Sequence, residues 1–157
     1  MRHPLLLAAC VGLSACGASL PSLGGPSGGG PVATGLPLGE VDAVRLQSGQ
    51  CALALWTRGA PAVRLAIAVS QPPTLHVNAE GRQLTLTRTD YDGEAVYGHY
   101  PRQTWAGEGV SLTLTTGFEA RGGMVGGAVT QDATLSYVGA DGAELVVPVA
   151  GLVACQP

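Results

Sequence analysis

The stretch Thr74-Leu75-His76-Val77-Asn78-Ala79-Glu80-Gly81-Arg82-Gln83-Leu84-Thr85-Leu86-Thr87 decides the fold class. Leu75 and Val77 alternate with Thr74, His76 and Asn78. After a turn at Ala79-Glu80-Gly81, Leu84 and Leu86 alternate with Thr85 and Thr87. An extended chain throws successive side chains to opposite faces, so a period of two gives each half one apolar and one polar face. The glycine supplies the backbone freedom that a tight reversal needs. The pair reads as an antiparallel hairpin with one face against a core.

The same pattern runs outward in both directions. Val63, Leu65, Ile67 and Val69 share one face, with Arg64 and small alanines on the other. Val110, Leu112 and Leu114 alternate with Ser111, Thr113 and Thr115. Leu135 and Tyr137 precede a turn at Gly139-Ala140-Asp141-Gly142, and Leu145, Val147 and Val149 follow it. Pro148 has no N–H to give a ladder, which predicts an edge or end position for the last strand. Arg121-Gly122-Gly123-Met124-Val125-Gly126-Gly127 reads as a mobile loop between strands. With 24 Gly and 11 Pro in the chain, long helices are excluded, because both residues destabilise helix interiors. At 46% hydrophobic and only 12% charged, the chain has the means to bury a core. These features predict an all-β domain over residues 40–157, a single antiparallel β-sandwich or small barrel.

The N-terminus reads differently. Arg2 supplies a positive charge and Leu5 to Leu13 an apolar run, the order of a secretory signal peptide. The run is far short of the roughly 20 apolar residues that span a bilayer. Leu13-Ser14-Ala15-Cys16 resembles the lipobox of bacterial lipoproteins. That resemblance implies removal of residues 1–15 as the signal peptide and acylation of Cys16. Leu7-Ala8-Ala9-Cys10 fits the same pattern, but cleavage there would leave too short an apolar core. Gly17 follows the cysteine, where an Asp in these lipoproteins commonly signals inner-membrane retention. The resemblance thus implies an outer-membrane anchor facing the periplasm, held through N-terminal acyl chains (palmitate or similar). Residues 16–39 then form a Gly/Pro/Ser-rich tether, with too little apolar surface to fold.

The cysteine count agrees. Cys10 leaves with the signal and Cys16 is acylated, so Cys51 and Cys155 remain as a pair. In an oxidising periplasm such a pair predicts a disulfide. Closing so long a loop constrains the unfolded chain by roughly 4–5 kcal/mol in the chain-entropy treatment.

Charge and motifs narrow the function further. The formal charge is −3 and no basic stripe is present, which argues against nucleic-acid binding. No Gly-x-Ser-x-Gly elbow, Ser-x-x-Lys pair or catalytic cysteine occurs, so no catalytic residue is expected. Asp90, Asp92 and Glu94 match only part of a calcium loop and read as a solvated Asp-Gly turn. His76 and His99 fall on different predicted elements without further ligands, so neither a metal nor a cofactor is expected.

One segment stands apart. Asp90 to Trp105 holds three of the four tyrosines and one of the two tryptophans, together with His99, Arg102 and three acids. Tyr, Trp and Arg concentrate at recognition surfaces, so Tyr91, Tyr97, His99, Tyr100, Arg102 and Trp105 are the candidate binding residues. The alternative is a long hairpin whose rings cover one end of the sheet. Gly93 to Tyr97, then Trp105, Gly107 and Gly109, resemble the loop and strand of periplasmic lipoprotein inhibitors of c-type lysozyme. The Ser and Lys that those proteins insert into lysozyme have no counterpart. The expected function is a non-enzymatic envelope lipoprotein binding a periplasmic or outer-membrane protein or glycan. The alternative is a lysozyme-inhibitor-like or cell-wall-acting protein.

Overall fold

A computed structural model of the chain describes residues 37–157. The expected signal peptide, the expected acylation site Cys16 and the expected tether up to residue 36 lie outside the described residues. Nine strands follow in order: β1 Leu38–Gly39, β2 Cys51–Thr57, β3 Arg64–Val69, β4 Thr74–Ala79, β5 Arg82–Asp92, β6 Arg102–Gly107, β7 Val110–Thr115, β8 Gly127–Val138 and β9 Glu144–Cys155. From β2 onward each strand pairs antiparallel with the next, and β9 returns to pair with β2. Eight strands therefore form a closed antiparallel ring in up-and-down order, with β1 added at the end of β4. Closure removes the exposed sheet edges that would otherwise invite aggregation.

The ladder register fixes which residues face inward, because directly paired residues share a face. Leu53 and Leu55 pair with Ala68 and Ala66, and these in turn pair with Leu75 and Val77. The same face continues through Leu84, Leu86, Trp105, Leu112, Leu135 and Val147. Most of this row is fully buried, and Trp105 is its largest side chain. At Gly151 a Cβ would lie 2.6 Å from Thr130 Cγ2 and 2.9 Å from Leu55 Cδ2, so only glycine fits that inward position.

On β3 the expected faces are reversed. The alanines point inward, while Ile67 and Val69 point outward beside Ala54 and Ala52. They are nevertheless only 6% exposed. The connection from β1 to β2 explains their burial. It starts where Val41 N–H donates to the Arg64 carbonyl (2.9 Å) and ends at Gln50, whose side chain donates to the Gln71 carbonyl. It must therefore run the length of β3 on its outer side, which makes β3 apolar on both faces. Leu38, placed in the tether on sequence grounds, is itself fully buried.

Pro148 needs a similar correction. β9 is not an edge strand, since β2 and β8 flank it. Pro148 lies just beyond the last β2 pairing, Thr57 with Val149, where β9 has only β8 beside it. The proline rule holds locally while the strand is internal.

The two ends of the ring differ. At one end β4–β5 and β6–β7 reverse through Glu80-Gly81 and Glu108-Gly109, with φ of 53° and 77°, and 53° and 79°. Two positive φ values define the type I′ turn, whose twist matches that of the strands it joins. The expected Gly139-Ala140-Asp141-Gly142 turn closes the same end, with Gly142 N–H donating to the Gly139 carbonyl. The opposite end carries the longer β5–β6 and β7–β8 loops and a disulfide. Cys51 and Cys155, 104 residues apart, sit directly opposite each other on the closing β2–β9 pair and are bonded.

Candidate functional site

The site begins with the alternation of β5. The period that turns Leu84 and Leu86 inward continues to Arg88, which pairs with Trp105 across the ladder. A register shift between Arg88 and Asp90 then brings Tyr91 opposite Gln103, on the inward side. The inward row thus changes from leucine to Arg88, Tyr91 and Gln103 as it reaches the disulfide end. Gln103 is fully buried.

Arg88 is partly buried and has no carboxylate partner among the described residues. Its Nη1 donates to the Gly98 carbonyl at 3.0 Å and to Gln103 Oε1 at 3.4 Å. Its guanidinium carbon lies 4.9 Å from the centroid of the Tyr100 ring and 5.3 Å from that of Tyr91. The two rings are themselves 4.3 Å apart, tilted by 37°. Aromatic faces attract a cation through their quadrupole, so the tyrosines hold the guanidinium where no anion does.

The loop above is a small hairpin of its own. Val96 and His99 exchange backbone hydrogen bonds of 2.8 and 3.0 Å around a Tyr97-Gly98 turn with φ of 53° and 80°. This is a third type I′ turn, with tyrosine where a small polar residue is usual. Gly98 packs against the β3–β4 turn so closely that a Cβ would lie 2.8 Å from Ser70 Cβ. The contact folds the loop back over the end of the ring. A groove of about 280 Å³ is left open beside it, lined by Cys51, Ser70, Arg88, Tyr97, Gly98 and Tyr100 among others.

His99 lies behind this wall, 1% exposed. Burial lowers its pKa to about 4; a hydrogen bond to the Cys51 backbone opposes the shift and the Arg88 charge adds to it. The imidazole is therefore neutral at pH 7. Its Nε2 and the Nε2 of Gln103 are buried without a hydrogen-bond partner.

The residues singled out in the sequence are only partly brought together. Tyr91 and Tyr97 are exposed (57% and 42%), and Tyr100 completes the cluster around Arg88. Trp105, at 1% exposure, is core and meets no partner directly; His99 is likewise buried. Arg102 points outward and pairs with Asp90 at 3.0 Å, both well exposed. Such surface pairs contribute little. Arg88, which the sequence reading passed over, is the central residue. Its signal was an arginine on the apolar side of a period-two strand. The residues resembling lysozyme inhibitors separate as well. Gly93 to Tyr97 sit at the groove end, Trp105 lies in the core, and Gly109 lies in a turn at the far end.

No family model, curated protein or solved structure matches the chain.

Proposed function

We propose that the chain is an outer-membrane lipoprotein acylated at Cys16, and that its β domain is a non-enzymatic binding module. We read the ring as a small filled barrel whose disulfide end takes hold of a periplasmic protein or glycan. The observation that carries this reading is the packing of Tyr91 and Tyr100 on Arg88 beside an open groove that Tyr97 also lines. Tyrosine gives large amphipathic contact area at low entropic cost, and binding residues cluster on loops held by a rigid scaffold. Tyr97 adds to the case. A bulky residue held at positive φ costs about 1–2 kcal/mol, and such strain gathers at functional positions.

The test is capture from envelope extract with the full chain as bait. Tyr91→Ala and Tyr97→Ala should retain about tenfold less of the specifically captured component, with the thermal midpoint little changed. Acyl chains should be found on Cys16 by mass spectrometry of the same preparation. Equal capture by both variants would refute the binding surface, and an unmodified Cys16 in the membrane fraction would refute the anchor.

A further inference from the structure

We propose that the groove beside Arg88 is a subsite for a single carboxylate group carried on a small sugar or peptide body. The inference rests on the binding reading above and names the chemistry of that ligand.

Arg88 is a partly buried cation without an anion. The only ion pairs among the described residues join Arg58 to Asp132 and Arg102 to Asp90. Arg88 spends Nη1 on the Gly98 carbonyl and Gln103, leaving Nε and Nη2 without an acceptor among the described residues. A guanidinium presents its donors in a planar fork that matches a carboxylate, and charge-assisted pairs of this kind are the stronger hydrogen bonds. None of the side chains lining the groove is acidic, so no lining residue competes for the fork. The hydroxyl-bearing residues Ser70, Tyr97 and Tyr100 line the same space, where they can serve the ligand body.

Two quantities favour a monoanion over a phosphate. The groove holds one cation, and the chain contains no lysine to add a second. Asp90, Asp92 and Glu94 stand in the adjoining strand end and loop, and they would repel a dianion more strongly than a carboxylate. The volume of about 280 Å³ suits one small group, such as a peptide C-terminus or an acidic sugar, rather than a whole large ligand.

The experiment uses the full chain in a neutral detergent and follows the Arg88 Nε–H resonance by NMR. The probes are N-acetyl-alanyl-alanine, its C-terminal amide, glucuronate, glucose and inorganic phosphate. One or both carboxylates should shift the resonance saturably, and the stronger of the two identifies the body. The amide and glucose should bind about tenfold more weakly or not at all. Arg88→Lys should lose about tenfold in carboxylate affinity, read by calorimetry. The acid–amide comparison on the unaltered protein holds even where an Arg88 variant fails to fold. Equal binding of acid and amide, stronger binding of phosphate, or no saturable shift would overturn the proposal. If these fail while capture of an envelope component still depends on Tyr91 and Tyr97, the recognition surface stands and only its carboxylate chemistry falls.

Discussion

The two ends of the ring are built from the same strands by different means. The turn end is closed by short reversals such as Glu80-Gly81 and Glu108-Gly109, which satisfy their backbone locally. The disulfide end brings together the first and last strands of the ring, a nine-residue loop, a partly buried arginine and a buried neutral histidine. Where local geometry completes the ring, the inward row stays largely apolar, with the Tyr137 hydroxyl donating to Glu80 at its rim. Where local geometry falls short, a covalent staple and a polar cluster do the work. The difference teaches that one ring can be completed in two ways, by turn geometry alone at one end and by a covalent link with a polar cluster at the other.

The largest effect should come from the staple. Replacing Cys51 and Cys155 together by serine releases a constraint across 104 residues. Unfolding free energy should fall by about 2–5 kcal/mol, the range typical when a native disulfide is removed from a small domain. Denaturant titration gives the total, and amide exchange gives its location. Exchange should quicken at the starts of β2 and β3–β4 before it does at Glu80-Gly81 or Glu108-Gly109. An unchanged midpoint, or faster exchange at the turn end first, would break the comparison.

The next effect is one of pH. His99 is neutral in the fold, with its pKa lowered to about 4 from an unfolded value of 6.5, chiefly by burial. Between those values the unfolded chain binds a proton that the folded chain refuses. Stability from this group is complete above pH 6.5 and is lost as pH falls from 6.5 through 4, by about 2 kcal/mol at pH 5. His99→Gln should flatten that slope even if it lowers stability at pH 7. Thermal melts at pH 7, 6 and 5 measure both. A slope that survives the substitution would assign the titration to another group. His76, half-buried on the outer face and hydrogen-bonded to Thr85, is the one to examine then, since burial lowers its pKa too.

How much of this was legible beforehand depends on the face in question. The hairpin of β4 and β5, the β7 strand and the turn before β9 follow from period two and glycine, because each has one wet and one dry face. The disulfide follows from a cysteine count. On β3 alternation predicts the wrong face, because both faces are apolar once the chain from Val41 to Gln50 lies against its outer side. Alternation cannot tell which of two buried faces is the core. Cys51 to Thr57 hides as a strand for a related reason, since alanine alternates with leucine there and neither face is polar. The aromatic segment is visible in composition, but composition does not say which of its residues face the core. Trp105 fills the interior, and Arg88, two positions beyond Leu86, carries the polar end of the same inward row. The register shift after Arg88 decides that Tyr91 also turns inward, and a bulge leaves no mark in the residue pattern.

The smallest effect should sharpen the contrast most, because it compares one kind of turn at both ends. Glu108 and Tyr97 share the same φ of 53° and both precede a glycine. Asparagine tolerates this left-handed conformation better than either residue, so each change to asparagine should raise stability, by up to about 1 kcal/mol. Glu80 is a poorer choice for the turn end, because its carboxylate accepts a hydrogen bond from the Tyr137 hydroxyl at 3.1 Å. Glu108→Asn should stabilise the domain and leave capture of an envelope component unaltered. Tyr97→Asn should stabilise it by a similar amount while weakening capture, because the groove loses one of its tyrosine walls. Opposite signs for stability and binding at one position, and no coupling at the other, are the expected signature of strain kept for recognition. Denaturant midpoints and capture assays on the two variants read both quantities. If Tyr97→Asn captured as well as the unaltered chain, the tyrosine would be no more than an unfavourable turn residue, and the two ends would not differ in purpose at that point.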